Sequence, residues 1–181
     1  MPTKYDVATI CNALVDILVY AEDLDIKSLG LKKGTMKLVD KSEQEKILAH
    51  FSHREKSVEL GGSSLNTIKT MARLGKQTLF SGTIAKDEFG KQIEERLTAI
   101  QTTSRLHYTD QEPTGTCLVL ITPDSERTMV THLGASRLYK PNYVPYDELK
   151  NTKIFHFCGY QWDTEEQKES IMTAIEIAQK N

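Results

Sequence analysis

Short apolar runs alternate along this chain with stretches whose apolar residues recur every three or four positions, and that alternation admits few folds. Asp6-Val-Ala-Thr-Ile-Cys11 is nearly unbroken and reads as a buried strand of a parallel sheet. Gly61-Gly62-Ser63-Ser64 opens a helix with Leu65, Ile68, Met71 and Ala72 on one face, closing at Gly75. Gln77 to Ala85 is the next strand, and Asp87 caps a helix carrying Phe89, Ile93, Leu97 and Ile100. Ile154-Phe-His-Phe-Cys158 reads as a further buried strand, ended by Gly159. Asp163 or Thr164 then caps a last helix with the stripe Ile171, Ala174, Ile175 and Ala178. The expectation is an α/β chain built on a parallel sheet.

Two stretches break the alternation. Residues 17–60 carry short alternating pieces at Leu18 to Tyr20 and Met36 to Val39, then Ser42-x-x-Glu45 as a capping box for a helix through Phe51, which suggests small antiparallel strands and one helix. Residues 107–136 hold Cys117 to Thr122 and Thr128 to Leu133 around the turn Pro123-Asp-Ser-Glu, a hairpin. Residues 137–152, with Pro141 and Pro145, read as an irregular connection. One domain over 1–181 is expected, with the 17–60 and 107–136 excursions inserted in its core as a lid. A crossover helix normally returns to another strand, and none follows the last one, so the sheet reads as unfinished with an exposed edge.

Composition excludes several functions. With 23 Lys and Arg against 25 Asp and Glu, the net charge of -2 provides no basic field for a nucleic-acid backbone or an anionic membrane. No apolar run approaches the roughly 20 residues of a membrane span, and the start Met1-Pro-Thr-Lys-Tyr-Asp lacks a signal peptide's hydrophobic stretch, which predicts a soluble, cytoplasmic chain. Cys11, Cys117 and Cys158 are odd in number and far apart, so buried free thiols are expected rather than a disulfide framework. Histidines 50, 53, 107, 132 and 156 follow no metal-ligand spacing, so no metal site is expected.

Neither a Walker-type phosphate loop nor Gly-x-Gly-x-x-Gly after the first strand is present. What recurs is polar residues where strands end, the position at which open α/β sheets bind ligands. Asn12 and Asp16 follow the first strand; a carboxylate beside an amide suits a pair of sugar hydroxyls, and the same residues equally suit a solvated turn with Asp16 as a local cap. Gly61 and Gly62 let the backbone approach a ligand, with Ser63 and Asn66 at its flanks, or they make a tight turn before a serine cap. Arg127 can hold a phosphate bidentately or stand as a surface charge.

The order of these features carries more than any one of them. Asn12-Ala-Leu-Val-Asp16, Gly61-Gly-Ser-Ser-Leu-Asn66, Gly82 with Asp87 and Gly90, Pro113-Thr-Gly-Thr-Cys117 and Arg127 resemble the PfkB, or ribokinase-like, family of sugar and nucleoside kinases, in particular its adenosine-kinase-like members. The resemblance runs from about Tyr5 to the end of the chain and implies an α/β three-layer sandwich with a small β-sheet lid, truncated after the N-terminal half. It implies a kinase that phosphorylates a hydroxyl of a sugar or nucleoside, adenosine or a related ribose-containing acceptor favoured, using ATP and Mg2+. By resemblance Asp16 binds ribose-like hydroxyls with Asn12, Gly61, Gly62, Ser63 and Asn66, while Met36, Leu38, Cys117, Met129 and Thr131 lie on lid strands around the substrate. Arg127 reaches the transferred phosphate. At Met36 the nucleoside branch can carry a polar residue, and this chain departs from it with a thioether.

The family's Gly-Ala-Gly-Asp segment, with its anion hole, catalytic base and ATP-binding loops, has no counterpart here. The implied consequence is a chain without an ATP site or catalytic residues of its own, inactive alone. Two alternatives accompany this reading: a non-catalytic sugar- or nucleoside-binding remnant, and one half of an obligate assembly that self-associates through the lid or the exposed sheet edge.

Overall fold

The computed structural model describes residues 4–181. Strand β1, Tyr5–Ile10, passes through only three residues into β2, Leu14–Tyr20. There follow α1 (Asp23–Ser28), β3 (Met36–Leu38), α2 (Lys41–His50), β4 (Lys56–Gly61), α3 (Ser63–Arg73), β5 (Thr78–Ala85), α4 (Glu88–Ala99) and β6 (Thr103–Thr109). Then come β7 (Gly115–Ile121), β8 (Arg127–His132), α5 (Tyr146–Lys150), β9 (Thr152–His156) and α6 (Glu165–Lys180), with 3-10 turns at Gly134–Leu138, Pro141–Tyr143 and Gly159–Gln161.

The strands form two sheets. One has the order β6-β5-β1-β9 and is parallel throughout; the other has the order β3-β8-β7-β2-β4. In the second, β2 pairs antiparallel with β4 and parallel with β7, β7 pairs antiparallel with β8, and β3 lies parallel to β8. The antiparallel strands expected in the first excursion are found as β2 and β4, while β3 pairs parallel with β8, β2 also pairs parallel with β7 from a distant part of the chain, and the excursion holds two helices, α1 and α2, rather than one. The excursions also have different edges. His107 to Thr109 pair with β5 in the parallel sheet, so the second excursion leaves after Thr109, while β2 joins the other sheet from Leu14, before Ile17.

Alternation along the central strands explains why the parallel sheet is apolar on both faces. Leu79 of β5 packs with Ala8, Ile10, Tyr139, Ile171, Ala174 and Ile177 beneath α6, whereas Phe80 and Ile84 pack with Leu65, Ile93 and Leu97 of α3 and α4. Helix, sheet and helix make three layers. A third cluster, including Ile17, Val19, Ile26, Ile47, Phe51, Leu118, Leu120 and Val130, lies under the second sheet and is closed by α1 and α2. Burying side chains of this size stabilises by about 1.5–3 kcal/mol each before the entropy of ordering them is counted.

Local chemistry sets the helix starts. Asp40, not Ser42, caps α2, its side chain accepting from the Glu43 amide at 2.8 Å, so the helix begins before the predicted box. Gly62 occupies the N-cap of α3 with φ +92°, a conformation that favours glycine, and neither Ser63 nor Ser64 caps the helix. Asp87 caps α4 through Gly90, and Thr164 with Gln167 forms the capping box of α6. In α6 Ile177 replaces Ala178 as the last buried residue of the stripe. Residues 137–152 contain α5 rather than only irregular chain.

β9 departs from its expectation in span and burial. It stands at an edge of the parallel sheet, ends at His156, and leaves Ile154 56% exposed, because one face of an edge strand is covered only partly. Phe157 and Cys158 thus lie beyond the ladder, and Cys158 is half-buried where a buried thiol was expected. All three cysteines are free. No helix among the described residues is long and apolar enough to cross a membrane.

Candidate functional site

A cleft of about 470 Å³ opens at the seam where β1 of one sheet hands the chain to β2 of the other. Its floor is one face of the second sheet. Register places Leu38 opposite Thr131, Thr131 opposite Cys117 and Cys117 opposite Asp16, so four strands contribute one continuous rung. The adjacent rung sets Met36 beside Met129 and Met129 beside Val119. Period-two alternation points Leu14 and Asp16 of β2, and Cys117 and Val119 of β7, to the same side. The cleft wall opposite is made where β1 ends, at Cys11 and Asn12, and where β9 ends, at Cys158, Tyr160 and Trp162.

Asp16 lies inside a strand and is no turn residue or cap, which removes the alternative of a solvated turn with Asp16 as a local cap. Partial burial pushes its carboxyl up to about 6; the Lys69 and Arg127 charges oppose this and Glu59 adds to it. A carboxylate held this way is a strong acceptor for hydroxyl groups and is ionised at neutral pH. Gly61 does not line the cleft. It sits behind Asp16, where a Cβ would collide with the carboxylate.

Asn12 is buried and held from both ends. Its Nδ2 donates to the Tyr160 carbonyl at 3.1 Å, and its Oδ1 accepts from Gln167 Nε2 at 3.1 Å. One amide hydrogen and one oxygen lone pair remain for a ligand. Gly62 brings the start of α3 against the Asn12 carbonyl, where a Cβ would stand 2.8 Å away, and sets Ser63, the first residue of α3, on the cleft. Cys117 accepts from Thr131 Oγ1 at 3.2 Å, and burial pushes its thiol up to about 11, so it is a neutral wall group. Arg127 is exposed at the start of β8, on the cleft margin.

The structure brings Asn12, Asp16, Met36, Leu38, Gly62, Ser63, Asn66, Cys117, Arg127, Met129 and Thr131 onto this one cleft and leaves out Gly61 alone. Sequence reasoning missed Leu14 and Val119, which the period-two rule recovers from Asp16 and Cys117. It also missed Cys158, Tyr160 and Trp162. The rule applied to β1, that polar and aromatic residues after a parallel strand face the ligand crevice, finds these three when applied to β9. A second cavity of about 620 Å³ beside it is lined by Asp40, Glu43, Glu112, Arg137 and Glu166, and shares Leu38, Thr131, Leu133 and Asp163 with the cleft.

Residues 25–181 match the model of the pfkB family carbohydrate kinases. Adenosine kinase 2 of Arabidopsis thaliana is 24% identical over 160 residues, covering 82% of this chain and 45% of that protein. A 5-dehydro-2-deoxygluconokinase of Clostridium botulinum is 28% identical over 126 residues, covering 67% and 37%. Among solved structures, adenosine kinase from Sinorhizobium meliloti superimposes with a TM-score of 0.91 at 32% identity, over 98% of this chain and 54% of that one. A probable sugar kinase from Rhizobium etli gives 0.92 at 30% identity, over 98% and 54%. The α/β fold is common to them, and this chain spans about half the length of the relatives it matches.

Proposed function

Since this chain belongs to the family of pfkB carbohydrate kinases, we propose that its cleft holds the hydroxyl groups of a sugar or nucleoside, one of which the complete site phosphorylates. The observation that carries this reading is the rung running from Leu38 through Thr131 and Cys117 to Asp16, a neutral and largely apolar floor ending in one half-buried carboxylate. In its ionised form Asp16 accepts from two adjacent hydroxyls, while Asn12, oriented by Tyr160 and Gln167, offers a donor and an acceptor beside it. The second sheet then acts as a lid over the acceptor. Adenosine or a related ribose-containing acceptor is favoured, because Met129, Tyr160 and Trp162 offer flat and adaptable apolar surface for a base. Similarity to adenosine kinases supports the same choice.

ATP with magnesium is the donor the family implies, and when bound it supplies the phosphoryl group. The polar groups of the cleft, Asn12 and Asp16, suit the acceptor's hydroxyls. What they do is bind and orient the acceptor, exclude water from it, and present Arg127 to its phosphate at the margin. By this reading the 181 residues bind an acceptor and do not phosphorylate it unaided.

The test combines calorimetry and a phosphotransfer assay, verified by mass, on the 181-residue chain with adenosine, ribose and fructose. Acceptor binding without turnover on ATP and magnesium is expected. Absence of binding by every acceptor sinks the substrate reading, and turnover sinks the assignment of these residues to the acceptor side alone.

A second reading rests on the β9 edge. Ile154 is 56% and Phe157 38% exposed beside unpaired strand groups, a surface that suits pairing with a second copy or with a separate C-terminal half. Light scattering that finds a stable monomer across concentrations eliminates the second copy.

A further inference from the structure

We propose that Cys11 and Cys158 form a hydroperoxide-sensitive dithiol in the cleft wall, closing to an intramolecular disulfide when oxidised. The pair is a consequence of strand register and does not depend on the kinase reading. β1 and β9 are parallel neighbours with Thr9 opposite His156, and each cysteine lies two residues further along the chain, just past its strand. Positions two apart point to the same side, so the two side chains emerge together just past the end of the ladder. Neighbouring strands are about 4.8 Å apart, inside the Cα separation of roughly 4.4–6.8 Å that a disulfide spans. The two sulfurs lie 3.8 Å from one another. Cys117 sits on the other sheet, with its sulfur engaged by Thr131.

The surroundings make one member nucleophilic and the other a resolving thiol. Both line the cleft, Cys158 half-buried and Cys11 only 1% exposed. Hydrogen bonding from Cys11 holds Cys158 below the ordinary thiol value against the cost of burial, with Ser64 and the Tyr160 amide assisting; the same pairing and burial push Cys11 well up. Ser64 is the second residue of the 11-residue helix α3, so its amide belongs to the positive end of that helix. Its buried hydroxyl borders both sulfurs, placed to donate to a thiolate.

The chemistry balances in two steps. The Cys158 thiolate attacks one oxygen of hydrogen peroxide; an S–O bond forms, the O–O bond breaks, and the departing hydroxide takes a proton to become water. Cys11 then gives up its proton and attacks the sulfenic sulfur; the S–S bond forms, the S–O bond breaks, and the hydroxide leaves with that proton as a second water. Two thiols have lost two electrons and two hydrogens, and one peroxide has become two waters. The bond ties the 158–162 segment, with Tyr160 and Trp162, to the end of β1.

The 181-residue chain is treated with hydrogen peroxide, alkylated under denaturing conditions, and analysed by intact and peptide mass. The expected result is one alkylated thiol out of three, a linked peptide pair containing Cys11 and Cys158, and full recovery with dithiothreitol. Cys117→Ser keeps the linked pair and leaves no thiol to alkylate, and Cys11→Ser leaves Cys158 as a sulfenic acid that dimedone captures. Three free thiols after peroxide, a linkage through Cys117, a disulfide between two chains, or a Cys158 oxidised further without linkage would each overturn the proposal.

Discussion

Gly61 leaves open the space that the Asp16 carboxylate occupies: a Cβ at residue 61 would overlap the carboxylate oxygen and crowd its carbon. The relationship follows from pairing, since β4 runs antiparallel to β2 with Gly61 opposite Leu14 and Glu59 opposite Asp16. Gly61→Ala must turn Asp16 away or push the two strands apart, with a loss of stability of about 1–3 kcal/mol. Adenosine affinity measured by calorimetry should fall at least as far as in Asp16→Ala. Retained affinity would show that Asp16 is not the hydroxyl acceptor.

Asp16 itself weakens the fold at neutral pH. Its carboxyl titrates near 6 in the folded chain against an ordinary 3.8, so between those values the folded state binds more protons than the unfolded one. Stability contributed at this residue is therefore full below about 4 and falls as pH rises through 6. Asp16→Asn should be more stable than the parent at pH 7, by about 1–2 kcal/mol after screening by solvent, with the difference vanishing near pH 4. Thermal melts at several pH values check the sign.

Gln167, fully buried at the start of α6, donates to Asn12 Oδ1 at 3.1 Å and to the Ser136 carbonyl at 3.0 Å. Gln167→Leu strands both acceptors, at a cost of about 2–4 kcal/mol in urea unfolding. Because Asn12 then loses the partner that orients its amide, acceptor affinity should fall even though residue 167 lies outside the cleft lining.

Asp87 joins the parallel sheet to the second one. It accepts from the Gly90 amide at 2.8 Å, the Thr114 amide at 2.8 Å and the Thr114 hydroxyl at 2.7 Å, just before β7. Burial raises its carboxyl, but these donors outweigh burial and hold it below the ordinary 3.8. The stabilisation is present above the ordinary value and is lost as pH falls through the lower one. Asp87→Ala should cost about 2–3 kcal/mol at pH 7 in urea unfolding.

Arg127 separates acceptor from product. Arg127→Ala should leave adenosine affinity within about twofold while weakening adenosine monophosphate about 10- to 100-fold, the size of a charge-assisted hydrogen bond. Equal losses for both ligands would place Arg127 outside the phosphate site.

Much of the architecture was legible because periodicity reports burial directly. The runs at β1 and β5 are buried nearly throughout, and the stripes of α3 and α4 bury Leu65 and Ile68, and Ile93 and Leu97, with the rest of each stripe partly covered; each was readable from spacing alone. Elements that bury little were not. The six-residue α1 buries only Ile26, the strand β4 carries the polar pattern Lys-Ser-Val-Glu before Leu60, and β6 alternates only weakly. Asp40 displaced Ser42 as a cap because both residue types suit the role and the choice depends on where the preceding chain arrives.

The site divides the same way. By itself the sequence determined which chemical groups could meet a ligand and on which face of each strand they stand, since side-chain direction alternates strictly along a strand. Only the tertiary structure decided that Asp16, Cys117, Thr131 and Leu38 share one rung, that Gly61 stands behind the carboxylate rather than in the cleft, and that Cys158 lies beside Cys11 from 147 residues away. The physical reason is register: hydrogen-bond pairing between distant strands sets which positions become neighbours, and no local spacing encodes it.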